Sequence, residues 1–414
     1  MKVQNFLVFS ALFICFLFNA PECKATHLAG AEITYEWISG STYRINYRMY
    51  RDCSGITEPS TVSVCYRDAC NTFSGTITLS KAPAPNGLEV GTGCPGFNST
   101  CTGGSNPGYR EWLYTNTVTL PSQCIYWTFS ASINARNPFI NNVGGPPNGG
   151  NPGAQNLYVE TTFDNLAAQG NSSPYFTVKP INYMCINSPY SFNNGAVDPN
   201  GDSLSFELIM PLGGGGSCNL STTPTPLLFN TSASPPHNLI NNPIQTNNSF
   251  SLNANTGQMT FTPSAIQIGV ITVLVREWRN GQQIGSVIRD MQYIVMQCTS
   301  VPPTMETDTM SFGGVQMVNG QVQGCADEPL SFCFDVGSTS NQAVLVVSSN
   351  NATVAPGSTI TYTGQGTDSV RGCFNWIPSM ADTGLNILTV TVKDSNCVPP
   401  GIILQQTFTI PLYI

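Results

Sequence analysis

Charge is what this chain of 414 residues has least of. Asp, Glu, Lys and Arg make up 9% of it, where an ordinary domain carries about 25%. The formal net charge is −8, and no stretch gathers lysine and arginine into a cluster. That excludes nucleic acid and acidic membrane surfaces, which are held by clustered cations. Histidine is scarcer still, with His27 and His237 the only two. One cysteine pair, Cys65 and Cys70, approaches ligand spacing, so structural zinc is not expected. A Ser-His-acid triad lacks its Gly-x-Ser-x-Gly turn, and the acids are scattered near turns rather than paired as hydrolysis needs. Helical periodicity is nearly missing. Beyond Phe18 no apolar run approaches the length that spans a bilayer. These absences predict a non-catalytic chain with no transmembrane segment after its leader.

Apolar residues, by contrast, are ample: 41% of the chain, with 21 Phe and 15 Tyr, enough to bury real cores. At the start, Lys2 precedes an unbroken apolar run, Phe6 to Phe18, and Cys23-Lys24-Ala25 follows. This reads as a secretory signal over residues 1–25, cleaved before Thr26. Ile14 and Glu22, which precede Cys15 and Cys23, are not the small residues a lipoprotein site wants. Both cysteines leave with the signal, so thirteen of the 15 remain. In an exported chain these read as disulfides, and the odd number leaves one thiol over.

Along the chain the recurring pattern is alternation with a period of two. Ile33, Tyr35 and Trp37 alternate with polar neighbours. After Ser39-Gly40-Ser41-Thr42, Tyr43, Ile45, Tyr47 and Met49 do the same, which predicts a hairpin with one buried face. Further strands are expected at Thr61–Tyr66, Thr76–Leu79, Tyr114–Leu120, Tyr126–Ile133 and Tyr158–Phe163. The second half contains an internal repeat. Phe261-Thr262-Pro263-Ser264, then Gly269 and an apolar strand Val270–Val275, recur as Trp376-Ile377-Pro378-Ser379, Gly384 and Ile387–Val392, an offset of 115 residues for both the Pro and the Gly. Closing strands follow at Arg289–Met296 and Thr407–Leu412, and Asn280-Gly281 supplies a tight turn in the first copy. Repeats of this length with short strands predict tandem β-sandwiches of immunoglobulin-like kind. Boundaries are expected near Thr177–Pro180 and in the Pro-containing stretch Ser300–Thr304.

The sharpest local motif is Asp198-Pro199-Asn200-Gly201-Asp202. Oxygen side chains alternating around a Gly turn suit a hard cation, calcium above all, and Glu277 at the end of a later strand adds a carboxylate. A plain β-turn uses the same residues for backbone reasons alone. Asp382 and Asp394 stand at comparable strand ends in the second copy, without an Asp-rich loop. An N-terminal His27 joining His237 around copper needs cleavage one residue later and two domains to converge. Tyr109, Trp112 and Tyr114 offer a sugar-stacking row, although aromatics in β proteins usually fill cores.

Thr26-His27-Leu28-Ala29-Gly30-Ala31-Glu32-Ile33-Thr34-Tyr35, followed by Tyr50-Arg51-Asp52-Cys53, resembles the N-terminal region of large surface proteins of gliding, Bacteroidota-type bacteria, the gliding-motility-associated or type IX secretion cargo proteins. Cys185-Ile186-Asn187, the 198–202 loop with Ser203-Leu204, and Asn255-Thr256-Gly257 with Phe261-Thr262-Pro263 are similar to the same family. So are Val275-Arg276-Glu277-Trp278-Arg279-Asn280-Gly281 and Arg289-Asp290-Met291-Gln292. The resemblance covers most of residues 26–300, and the remainder is similar to an immunoglobulin- or cadherin-like repeat. It implies an extracellular, adhesin-like or matrix-like protein and supports calcium at Asp198, Asn200 and Asp202. It also implies O-glycosylation at Asp202-Ser203-Leu204, Asp308-Thr309-Met310 and Asp368-Ser369-Val370. The C-terminal sorting domain of such cargo is not visible.

The fold class expected is therefore all-β: tandem β-sandwich domains, immunoglobulin- or cadherin-like, after an N-terminal disulfide-rich β domain. The divisions expected are 1–25 signal, 26–178 disulfide-rich domain, 179–300 first repeat and 301–414 second repeat. Cys333 with Cys373 are expected to pair across opposed strands, Cys325 with Cys397 to bracket them, and Cys185 with Cys298 to join the ends of the first repeat. Cys218, in its Gly-rich loop, is the expected free thiol. The function expected is a secreted or cell-surface structural or adhesin-like protein, with calcium as its candidate stabilising ion and an extracellular protein or glycan as partner. A carbohydrate-binding protein is the alternative, and a secreted hydrolase or copper enzyme the distant one.

Overall fold

The computed structural model describes residues 27–414 except 71–72, 91–93, 95, 145–152, 154, 181–182, 216–217, 219–222, 313–315, 341 and 398–400, and of 307–312 and 316 the backbone alone. The expected signal at 1–25 lies outside the described residues. The chain is almost entirely strand. Its first hairpin, Leu28–Ser39 with Thr42–Asp52, keeps the alternation of the sequence. Tyr43, Ile45, Tyr47 and Met49 are buried, while Arg44, Asn46 and Arg48 face outward and are partly exposed. Pairing continues to Ser39 and Thr42, so the turn is tighter than the four residues expected.

The larger feature is a closed ring. Its strands run in the order Leu28–Ser39, Thr42–Asp52, Tyr109–Thr119, Ser74–Lys81, Thr61–Asp68, Trp127–Ile133, Leu157–Phe163 and Gln282–Met296. The last pairs back to the first through Gly30 and Met291, and to Leu157–Phe163 through Gly285 and Phe163. A ring of eight antiparallel strands is just wide enough for side chains to fill. Here Tyr35, Tyr43, Tyr47, Trp127, Phe129 and Phe163 fill it with the aliphatic residues of the same strands.

The closing strand comes from the expected first repeat, which corrects the division at residues 178 and 179. That position does not separate two sheets, because Gln282–Met296 belongs both to the ring and to the sandwich that follows. On the sandwich side the strand lies between Gln267–Arg279 and the short parallel strand Tyr183–Cys185, with Ser203–Ile209 beyond. Tyr190–Phe192, Met259–Phe261 and Ser251–Leu252 form the facing sheet. The shared strand carries two buried ion pairs, Asp290 with Arg136 and Arg289 with Glu32, both at 2.8 Å. The second sandwich repeats the plan and adds two strands, Thr304–Phe312 beside Leu330–Gly337 and Gln316–Val318 beside Gln321–Gln323. Leu345–Ser349, Leu385–Asp394, Leu404–Tyr413 and the parallel Gln321–Gln323 form one sheet, while Leu330–Gly337, Ser369–Trp376 and Thr359–Thr363 face it. The motifs found 115 residues apart thus occupy equivalent strands.

Six disulfides fasten the described chain. Cys185–Cys298 and Cys333–Cys373 form as expected, with Cα separations of 5.4 and 4.0 Å. Two expectations are corrected. Cys397 pairs with Cys94 of the ring (Cα–Cα 5.2 Å), and Cys325 is the exposed free thiol. Cys325 follows Gln323, which pairs with Tyr413, whereas Cys397 follows Asp394 at the opposite end of the same hairpin. The strand Leu385–Asp394 has 10 residues and so separates the two by about 30 Å, far beyond disulfide reach. Cys218 is not free but pairs with Cys65 (Cα–Cα 5.3 Å), because its loop springs from Leu212–Gly214, which extends the sheet beside Leu157–Phe163. Cys53–Cys101 and Cys70–Cys124 complete the set.

Candidate cation site

The loop Asp198–Asp202 forms first as an Asx turn. Asp198 Oδ1 accepts the backbone N–H groups of Asn200 (2.8 Å) and Asp202 (2.9 Å), and Gly201 takes a φ of 82° that suits glycine. The backbone reading of this motif is therefore satisfied, and it uses only one of the two Asp198 oxygens. The strand Ser203–Ile209 then leaves the loop and pairs with Gln267–Arg279, placing Leu204 opposite Glu277. A register shift between Glu277 and Trp278 re-aims side chains at this point, as β-bulges do.

Glu277 is fully buried. Its Oε1 accepts a hydrogen bond from Asn171 Nδ2 (2.6 Å), which also reaches the Tyr35 hydroxyl (3.1 Å). Glu277 Oε2 and Asp198 Oδ2 are buried without a hydrogen-bond partner. Opposite Glu277, the missing side chain of Gly285 makes the room, since a β-carbon there would lie 2.5 Å from Oε2. Oxygens of Asp198, Asp202 and Glu277 all lie within 4.8 Å of one another. Oxygens bound to one calcium at about 2.3–2.6 Å stand up to about 5 Å apart, so the donor set fits a hard cation. Among the described residues it is the one group of three or more His, Cys, Asp or Glu that does.

The electrostatics match. Burial, then the charge of Asp198, pushes the Glu277 carboxyl up to about 9. Burial also raises Asp198, although the N–H groups of Asp202 and Asn200 oppose it. Two facing carboxylates with no donor between them need either a proton or a cation. Asp202 differs from both, because Arg279 holds it through Nε to Oδ1 (2.8 Å) and Nη2 to Oδ2 (2.5 Å) while also donating to Asn171 Oδ1 (2.8 Å).

Three of the four residues expected as ligands are brought together. The fourth, Asn200, instead spends its side-chain oxygen on the backbone N–H of Ser172 (2.9 Å) and clips the loop to the ring. Asn171, Arg279, Tyr35 and Gly285 carry the site unannounced. Arg279 alone had a local signal, two residues from Glu277 on the same strand. The remaining candidates disperse. His27 leads into the first strand, while His237 is buried with Nδ1 3.4 Å from Asn242 O, and burial lowers its pKa. Asp382 caps a turn with Ser379, and Asp394 accepts the N–H of Val344 (3.0 Å) at the other end of the strand. Tyr109 and Tyr114 are fully buried and Trp112 is covered by Lys81 at 4.4 Å, so the expected aromatic row is not a platform. Ser203 and Ser369 of the expected glycosylation motifs are exposed, and the side chain of Thr309 lies outside the described residues.

No family model matches this chain, and no curated protein does. Among solved structures it is similar to extracellular cadherin domains 1–4 of protocadherin gamma B7, with 13% identity over 86% of this chain and 72% of that one and a TM-score of 0.19. It is similar also to the immunoglobulin domains of a Dpr2–DIP-Theta complex, with 8% identity over 89% and 93% and a TM-score of 0.19. A family 107 endo-fucoidan hydrolase matches 58% of this chain and 34% of its own at 14% identity and a TM-score of 0.17. Scores this low carry no argument, so the all-β, tandem-sandwich assignment rests on strand order. No helix among the described residues is long and apolar enough to cross a membrane.

Proposed function

We propose that this chain is an extracellular, cell-surface adhesin-like protein of a gliding-type bacterium, and that calcium at Asp198, Asp202 and Glu277 fastens its first sandwich to the ring. The observation that carries the calcium reading is the buried, unpartnered pair Asp198 Oδ2 and Glu277 Oε2, since an orphaned buried acceptor costs about 1–3 kcal/mol and more when charged. A cation there also bridges units, because Asn171 and Ser172 reach the site from the ring side while the loop 198–202 belongs to the sandwich. Six disulfides support an oxidising, extracellular setting. Two sandwiches cross-linked to a filled ring make a stiff scaffold suited to presenting a surface to a protein or glycan partner. The sequence motifs shared with gliding-motility cargo supply the bacterial setting.

Calorimetric titration of the full chain with calcium tests the site, with Asp198→Ala and Glu277→Gln as controls. Heat in the wild type that both variants lose is the expected result, and no heat in the wild type rejects the reading. Adhesion is tested by coating beads with the chain and counting those retained on cognate cells, with and without a calcium chelator. Retention no greater than that of albumin-coated beads rejects the adhesive role.

A further inference from the structure

We infer that Arg279 is a built-in competitor for the cation: its guanidinium occupies Asp202 in the metal-free chain and must leave that carboxylate for the cation to gain a third anionic ligand. This rests on the calcium reading above and adds how the site is regulated. Arg279 engages both Asp202 oxygens in a fork, and its third bond goes to Asn171 Oδ1 (2.8 Å). Asn171 is the same side chain whose amide nitrogen holds Glu277 Oε1 (2.6 Å). Arg279 therefore touches two of the residues that shape the site, and each carboxylate oxygen of Asp202 accepts one of its N–H groups. The oxygens left without a partner are on Asp198 and Glu277. Two monodentate carboxylates fall short of the six to eight oxygens calcium takes, so the cation gains most by claiming Asp202.

The exit is available. Arg279 ends its strand beside the tight turn Asn280-Gly281, and its side chain is one-third exposed while that of Asp202 is 7% exposed. A long cationic side chain at a strand end can keep its charged head in water once it leaves its partner. Asp202 is held in place through its backbone N–H, which donates to Asp198 Oδ1. Removal of the Asp202 fork would also loosen Asn171, so cation entry and the ring–sandwich contact change together. In the metal-free chain Arg279 keeps the loop 198–202 closed; in the bound chain the cation does so.

The experiment measures calcium affinity by calorimetry in the wild type, Arg279→Gln and Arg279→Lys, together with thermal midpoints in chelator and in saturating calcium. A competitor's removal tightens binding by at least about tenfold, the equivalent of one of the two charge-assisted hydrogen bonds to Asp202 that the exchange otherwise breaks. Arg279→Lys, which cannot fork both oxygens, falls between and serves if the glutamine variant does not fold. In chelator the variants melt below the wild type, and in calcium the gap closes. Affinity equal to or weaker than wild type in the folded variants overturns the inference, making Arg279 a preorganiser of Asp202, while calcium binding itself stands. Absence of heat in all three proteins overturns the calcium reading and this one with it.

Discussion

Without a cation, the paired carboxylates should make the chain less stable as pH rises. Glu277 has a folded-state pKa of about 9 against an ordinary 4.5. A raised acid binds a proton in the folded state that the unfolded state has already released, so its stabilisation is full below the unfolded value and is lost as pH climbs toward 9. The slope is at most about 1.4 kcal/mol per pH unit. Between about pH 5.5 and pH 7.5 the loss is therefore at most about 3 kcal/mol. His237 works the other way, because a histidine lowered by burial stabilises as pH rises through its unfolded value. The measurement is thus a difference, the unfolding midpoint of the wild type minus that of Glu277→Gln, in chelator, across that range. Glutamine keeps the Asn171 contact and offers Asp198 a donor, mimicking the protonated acid. The wild type should fall below the variant as pH rises. Calcium should raise the wild type relative to the variant, by about 2.7 kcal/mol at a hundred times the dissociation constant. A difference that does not change with pH in chelator would refute the electrostatic account of the site.

Three further outcomes are expected. Gly285→Ala should lose calcium binding and cost about 1–3 kcal/mol, the usual range for overpacking, since its β-carbon would lie 2.5 Å from Glu277 Oε2; wild-type calorimetry in the variant would contradict the cradle. Replacing Cys94 and Cys397 by serine should leave the second sandwich docked by non-covalent contacts only, those of Ile402, Leu404 and Gln406 and of Gln258 with Thr407 and Thr409 among them. Small-angle X-ray scattering should then show a larger radius of gyration, and an unchanged profile would mean that the disulfide is dispensable for docking. Under non-reducing conditions a maleimide should label Cys325 in the folded chain, and label found by peptide mapping at Cys218 or Cys397 would overturn the pairing described.

What could be read in the sequence was local. The alternation at Ile33–Trp37 and Tyr43–Met49 gives its strands away because side chains two apart share a face. The copies around Phe261 and Trp376 are visible because one plan is used twice. Closure of the ring is of another kind. It depends on Gly30 meeting Met291 and Phe163 meeting Gly285, and nothing near either partner in sequence encodes the register. Cys94–Cys397, 303 residues apart, hides for the same reason, and cysteine spacing favoured the shorter loop to Cys325. At the candidate site the split is the same. Asp198, Asp202 and Glu277 carried a chemical signature, but Asn171 arrives from the ring and Gly285 acts by lacking a side chain. Neither has a signature until the sheet is assembled.

The scarcity of charge has a structural counterpart in the way this chain closes strand edges. An open edge invites a second chain to pair, and proteins commonly blunt it with lysine, which this one barely has to spare. Carboxamides do the work instead. Asn142 Nδ2 donates to Val270 O (2.7 Å) while its Oδ1 accepts Val270 N–H (2.9 Å). Gln365 does the same to Val347 on the edge strand Leu345–Ser349, at 2.8 and 2.9 Å. Asn86 does so to Leu113, at 2.9 Å in both directions. A primary amide carries one acceptor and a donor pair on a flat group, the spacing of a peptide unit, so one side chain can stand in for one residue of a neighbouring strand. Unlike a real strand it presents no further edge. It also survives burial, as Asn142 does with no exposure at all, where an unpaired lysine would not. Asn and Gln therefore do more here than solvate an uncharged surface: Asn142 and Gln365 end a strand edge, and Asn86 fills the gap between Leu88–Val90 and Ser74–Lys81 along one side of Tyr109–Thr119. The same device reappears between units, where Gln258 Nε2 donates to Thr407 O (3.2 Å) and its Oε1 accepts from Thr409 Oγ1 (2.6 Å), seating the second sandwich on the first.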